Sequence, residues 1–135
     1  MKKTVAFGWV FYTGDDKNLE PHKTGKWMYF FSDRTVATKL CEKSINDKVV
    51  VSAKHRDGTD GVICFYLHYD DMVAHRRTIK FFLDNNLIRR SKSGKLYDIS
   101  FKLDDQTRAG EYGDDFHSGI KLSKFIDLNT GEWIV

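Results

Sequence analysis

Val49-Val50-Val51-Ser52-Ala53-Lys54, then Arg56-Asp57-Gly58-Thr59-Asp60-Gly61, then Val62-Ile63-Cys64-Phe65-Tyr66-Leu67-His68 reads as a β-hairpin. Two apolar, β-branched and aromatic runs flank a short polar loop containing Asp-Gly, a composition that favours a tight reversal between strands. Side chains on a strand alternate between its faces. Val49, Val51 and Ala53 therefore go one way, and Ser52 and Lys54 the other. In the second run Ile63, Phe65 and Leu67 are the better core residues, which leaves Cys64, Tyr66 and His68 on the face of Lys54. The same parity holds in Tyr97-Asp98-Ile99-Ser100-Phe101-Lys102, where Tyr97, Ile99 and Phe101 oppose Asp98, Ser100 and Lys102. Placed in one sheet, the two segments bring Lys54 and Lys102 to a common polar surface. A lysine is rarely buried without a partner, so two amines beside aromatic rings point to a site for an anion.

The flanking sequence supplies the rest of the fold. Val5 to Tyr12 and Lys26 to Phe31 read as strands, separated by a polar loop with Gly14, Asn18 and Pro21. Ser32 and Asp33 offer capping oxygens to a helix on which Val36, Leu40 and Cys41 recur, ending near Asn46. Asp70 or Asp71 caps a second helix with the apolar stripe Met72, Val73, Ile79, Phe82, Leu83 and Leu87, edged by Arg76, Arg77 and Lys80. A turn from Ser91 to Lys95 leads to a strand from Leu96 to Leu103. The tail carries a second hairpin signal, Phe125 to Leu128 and Glu132 to Ile134 around Asn129-Thr130-Gly131. The order β-β-α-β-β-α-β-β-β predicts an α+β fold: a largely antiparallel sheet with two helices on one face.

A chain of 135 residues fits one domain whose core needs no disulfide or metal. Apolar residues at 41% and aromatics at 14% exceed what a disordered chain carries, and one proline leaves no linker. The net charge of +3 is too small to establish nucleic-acid binding by itself. Its distribution is uneven: Arg76, Arg77, Lys80, Arg89, Arg90, Lys92 and Lys95 face only Asp84 within their stretch, whereas Asp104 to Asp115 is acidic. Cys41 and Cys64 have no C-x-x-C spacing and lie among apolar residues, which predicts free, buried, inert thiols. Neither a signal peptide nor a run of about 20 apolar residues is present, so the expected location is cytoplasmic with no membrane partner.

Several constellations carry chemistry. Lys54-His55-Arg56 combines a base, an acid and an anion clamp, but adjacent strand residues face opposite ways. His68, on the parity of Tyr66, is the better acid to work with Lys54. The segment from Lys102 through Asp104, Thr107, Arg108 and Tyr112 gathers two cations, a hydroxyl and a phenol, a set suited to gripping phosphate. Trp27, Trp9 and Tyr66 offer planes on which a base stacks. No metal or cofactor is expected: the Asp104 to Gly110 stretch lacks the alternating oxygen ligands of a calcium loop, and no His-Cys set has zinc spacing. Gly-rich phosphate loops, G-x-S-x-G and H-E-x-x-H are also missing.

Thr24-Gly25-Lys26-Trp27, Ser52-Ala53-Lys54, Val62-Ile63-Cys64-Phe65-Tyr66 and Phe101-Lys102-Leu103-Asp104 through Thr107 to Tyr112 resemble, in order and spacing, the basophilic-leukaemia-expressed-protein family, also labelled phosphothreonine lyase domain proteins. The resemblance covers roughly Thr24 to Gly113. It implies a fold similar to the cap-binding translation initiation factor, a curved antiparallel sheet with a ligand groove on its concave side. Lys54, Lys102, Asp104, Thr107 and Tyr112 match motif positions, and Trp27 matches the GKW tryptophan. Two departures stand out. Val36-Ala37-Thr38 lies where members often carry a helix tryptophan, and Leu103 where a proline usually follows.

The expected function is a binding module for a phosphate-bearing small ligand, a nucleotide or nucleotide-derived signal. Lys54, Lys102 and Arg108 would neutralise phosphate while Trp27 or Tyr66 stacks the base. One alternative is a phosphothreonine lyase, with Lys54 or Lys102 as base and His68 as acid. Another is a domain that docks an acidic protein or nucleic acid through the basic second helix.

Overall fold

The computed structural model describes residues 1–15, 18–104 and 119–135. Six strands form one antiparallel sheet: β1 (Lys2–Ala6), β2 (Trp9–Thr13), β3 (Thr24–Phe31), β4 (Ser52–Arg56), β5 (Gly61–His68) and β6 (Lys102–Leu103). Their order across the sheet is β1-β2-β4-β5-β3-β6, so β3 inserts between the β4–β5 hairpin and β6. Helices α1 (Arg34–Asn46) and α2 (Met72–Asp84) cover one face, and the sheet does not close into a barrel. The α+β architecture read from the sequence is the one observed.

Each element has a local cause. Asp33 caps α1 by accepting from the Thr35 amide, and Asp71 caps α2 by accepting from the Ala74 amide. The α2 stripe puts Phe81 and Phe82 edge-on against Phe65, at ring-centre distances of 5.7 and 5.3 Å. On the α1 side, Val10, Tyr12, Ala53 and His55 are buried with Ala37, Leu40 and Cys41.

Four boundaries differ from the sequence reading. The run from Val5 to Tyr12 is two strands joined at Phe7 and Gly8, whose φ of 55° and 82° make a left-handed turn matched to the sheet's twist. Phenylalanine occupies a position usually taken by Asn or Asp, and that hid the turn. The Val49 and Val50 amides both bond to the Ser44 carbonyl, closing off the end of α1, so β4 starts only at Ser52. Within Leu96 to Leu103 only Lys102–Leu103 joins the ladder; Asp98 instead accepts from the Ser123 amide and hydroxyl. The tail hairpin reduces to one bridge, Ile126 to Trp133, after a short 3₁₀ turn at Leu122–Lys124.

Register fixes the helix-free face. Lys2, Thr13, Ser52, Tyr66, Lys26 and Lys102 pair in succession, forming one row across all six strands. The next row runs Thr4, Phe11, Lys54, Cys64, Met28. Beyond it lie Ala6, Trp9 and Arg56, with Val62 and Phe30 paired on the far side. Close approach at one edge is secured by Gly25, where a Cβ would fall 2.4 Å from the Phe101 ring and 2.6 Å from the Lys102 carbonyl.

Candidate functional site

The helix-free face is built around Lys54. Its Nζ lies 4.0 Å from the centre of the Trp9 ring, 5.7 Å from Phe11 and 6.0 Å from Tyr66. Three rings from β2 and β5 thus enclose the ammonium, and the negative π faces attract it. Among the described residues no carboxylate lies within ion-pair distance of Lys54, Lys102 or Lys2. Lys26 differs, because its Nζ pairs with Asp104 Oδ1 at 3.0 Å with both side chains largely covered. The Lys26 ammonium also lies 6.0 Å from the Tyr66 ring, so Tyr66 stands between two cations.

Burial sets the protonation states nearby. It pushes the Tyr66 phenol up, with Cys64 and Asp104 acting in the same direction, so at neutral pH the phenol keeps its proton. Burial likewise raises the Cys64 thiol, and the pull of Lys26 and Lys54 does not offset it. Cys41 is raised by burial as well, and both cysteines are free and buried. They are packing groups. Tyr66 is therefore neutral, its ring lying between two ammonium groups, a setting that can receive an anion but that supplies no nucleophile.

The structure places the residues singled out in the sequence in different surroundings. Lys54, Tyr66 and Lys102 share the helix-free face, as parity required. Lys54 and Lys102 are nevertheless three strand intervals apart, roughly 14 Å at 4.8 Å per interval. His68 is on this face too, but four positions beyond Cys64, the partner of Lys54, which is about 13 Å along the strand. Its Nε2 accepts the Glu20 amide at 2.8 Å, so it acts as a loop anchor away from Lys54. Asp104 is engaged by Lys26. Thr107, Arg108 and Tyr112 lie outside the described residues.

Trp27 requires correction. Its side chain points to the helix-covered face, is 1% exposed, and donates from Nε1 to His75 Nδ1 at 3.0 Å. Phe101 and Phe125 pack around it at ring-centre distances of 5.7 and 6.5 Å. A ring enclosed on all sides cannot stack a ligand. His55 is also core, accepting from the Tyr12 hydroxyl at Nε2 and donating from Nδ1 to its neighbour Arg56's carbonyl.

The basic second helix is shorter and less free than expected. It ends at Asp84, Arg77 donates to the Val49 carbonyl, and Lys80 pairs with Asp84. Arg89 and Arg90, beyond the helix, donate to the carbonyls of Phe30 and Gly94.

Lys26 and Phe11 are site residues that the sequence reading passed over. The signal was present. Sending Trp27 to the core forces Lys26 to the opposite face, and Phe11 shares the parity of Trp9.

Comparison with known proteins returns no matching family model, no matching curated protein and no matching solved structure. No helix among the described residues is long and apolar enough to cross a membrane.

Proposed function

We propose that this protein is a binding module for a phosphate-bearing ligand of the nucleotide class, held on the helix-free sheet face. One observation carries the reading: a half-buried Lys54 ammonium, ringed by Trp9, Phe11 and Tyr66, has no carboxylate partner among the described residues. Partial desolvation strengthens its attraction for an anion. Lys102 adds a second cation with no carboxylate partner among the described residues, and Trp9, with Tyr66, takes the stacking role that the buried Trp27 cannot fill. The resemblance noted at Lys54 and Lys102 supports the same face. Two free thiols suit a reducing compartment, in agreement with a cytoplasmic location.

Turnover is not part of the proposal. β-Elimination needs a base and an acid on one substrate, and His68 stands about 13 Å from Lys54 along the sheet with its Nε2 occupied.

Calorimetric titration of the full chain with adenosine 5′-diphosphate tests the reading. Saturable binding that weakens about tenfold or more in Lys54→Ala is expected, the worth of a charge-assisted hydrogen bond. Absence of binding at millimolar ligand, or unchanged affinity in the variant, overturns it.

A further inference from the structure

We infer that the ligand of this face is a single-stranded nucleic acid lying across the strands, rather than a mononucleotide. This deepens the binding proposal above and rests on it. Lys2 on β1, Lys54 on β4 and Lys102 on β6 share the face and lack a carboxylate partner among the described residues. Two strand intervals separate the first pair and three the second, roughly 10 and 14 Å. No single phosphoryl group spans such gaps. The Lys54 ammonium also leans toward Trp9 on β2, away from β6, so it does not converge with Lys102. Three separate anions match the cations better than one, with Lys54 standing one row from the line of Lys2 and Lys102 toward the aromatic side.

The face is tiered as well as long. The row through Lys2 and Lys102 otherwise carries hydroxyls, Thr13, Ser52 and Tyr66, and the paired Lys26. Two rows along the strand direction, about 13 Å away, stand Trp9 on β2 and Phe30 on β3, the latter 59% exposed. A polar, cationic tier beside an aromatic tier complements a backbone with bases projecting to one side. Stacking on exposed rings is how sheet surfaces hold single strands without reading sequence. Duplexes keep their bases inside and cannot use the aromatic tier.

The test uses fluorescence anisotropy of a labelled hexaadenylate with the full-length chain, alongside unlabelled adenosine 5′-diphosphate as competitor. Binding to the hexamer should exceed that to the diphosphate by tenfold or more at low salt. Three phosphate contacts predict a log affinity against log salt slope near −2, from about 0.7 per phosphate for single strands. Lys2→Ala and Lys102→Ala should each reduce that slope by about 0.7, and Lys2→Ala should leave diphosphate binding unchanged. Trp9→Ala should weaken hexamer binding about tenfold without changing the slope. Equal affinity for hexamer and diphosphate, with a slope no steeper than about −0.7, overturns the inference and leaves the nucleotide site standing. Equal affinity for inorganic polyphosphate or for a duplex of the same length removes the aromatic tier and overturns the nucleic-acid assignment. If neither hexamer nor diphosphate binds, the functional proposal fails with it.

Discussion

The Lys54 ammonium rests 4.0 Å from the centre of the Trp9 ring, although the two residues are not direct cross-strand partners. Lys54 pairs with Phe11, and Trp9 pairs with Arg56, so the contact is diagonal across β2 and β4. A double-mutant cycle on Lys54→Met and Trp9→Leu should return a coupling of about 0.5–2 kcal/mol, the range for a partly desolvated cation on a ring. Urea denaturation supplies the four stabilities. Additivity within error would show that the contact contributes nothing.

Trp27 should behave as a core residue. Trp27→Phe keeps much of the apolar bulk but leaves His75 Nδ1 without its donor, at a cost of about 1–3 kcal/mol for the unsatisfied buried nitrogen. Ligand affinity of the folded fraction should be unchanged. A variant that keeps its urea midpoint but loses ligand would return Trp27 to the binding face.

Acid should destabilise the fold through two histidines. Burial lowers both His55 and His75 below the usual histidine value near 6.5, against the opposing hydrogen bonds to backbone carbonyls. The unfolded chain therefore takes up protons first as pH falls. Stability is fully present above about pH 6.5 and declines below it, because protons favour the unfolded state. Urea midpoints measured from pH 7.5 to 5 should fall steadily across that window. A flat profile between pH 6.5 and 5.5 would contradict the neutral assignment of both rings.

Gly25→Ala should disrupt the β3–β6 edge. The added methyl meets the Phe101 ring and the Lys102 carbonyl well inside contact distance, and overpacking of this kind costs about 1–3 kcal/mol or more. Lys102 should leave the face with its strand. The expected result is a lower melting temperature together with weakened ligand binding, whereas Lys102→Ala should weaken binding with no thermal change.

Parity is the part of the fold most legible in the sequence. Hydrophobic alternation placed Lys54, Tyr66 and Lys102 on one face because a strand has only two faces and the apolar set decides which is buried. Trp27 obeys the same rule: its alternation with Lys26 sends it to the core, and only its aromatic character suggests a stacking role. The separation of Lys54 from His68 and from Lys102 depends on strand order and register across long sequence gaps, which composition does not encode. The Phe7–Gly8 turn was hidden for a different reason: a left-handed phenylalanine is an uncommon choice, held here by the two-residue reversal between Ala6 and Trp9 while its side chain stays exposed.

The insertion of β3 between β5 and β6 has a consequence for how the chain assembles. Only the β1–β2 and β4–β5 pairings are local; β2 meets β4, and β3 meets β5 and β6, across tens of residues. Such pairings bear the loop-closure entropy before any contact repays it, which slows folding. The first and last strands of the described sheet are also its two edges, so the row from Lys2 to Lys102 exists only once β1 and β6 have both docked. Occupancy of that row would then report completion of the sheet, and a bound ligand would raise the unfolding temperature by favouring the finished state alone.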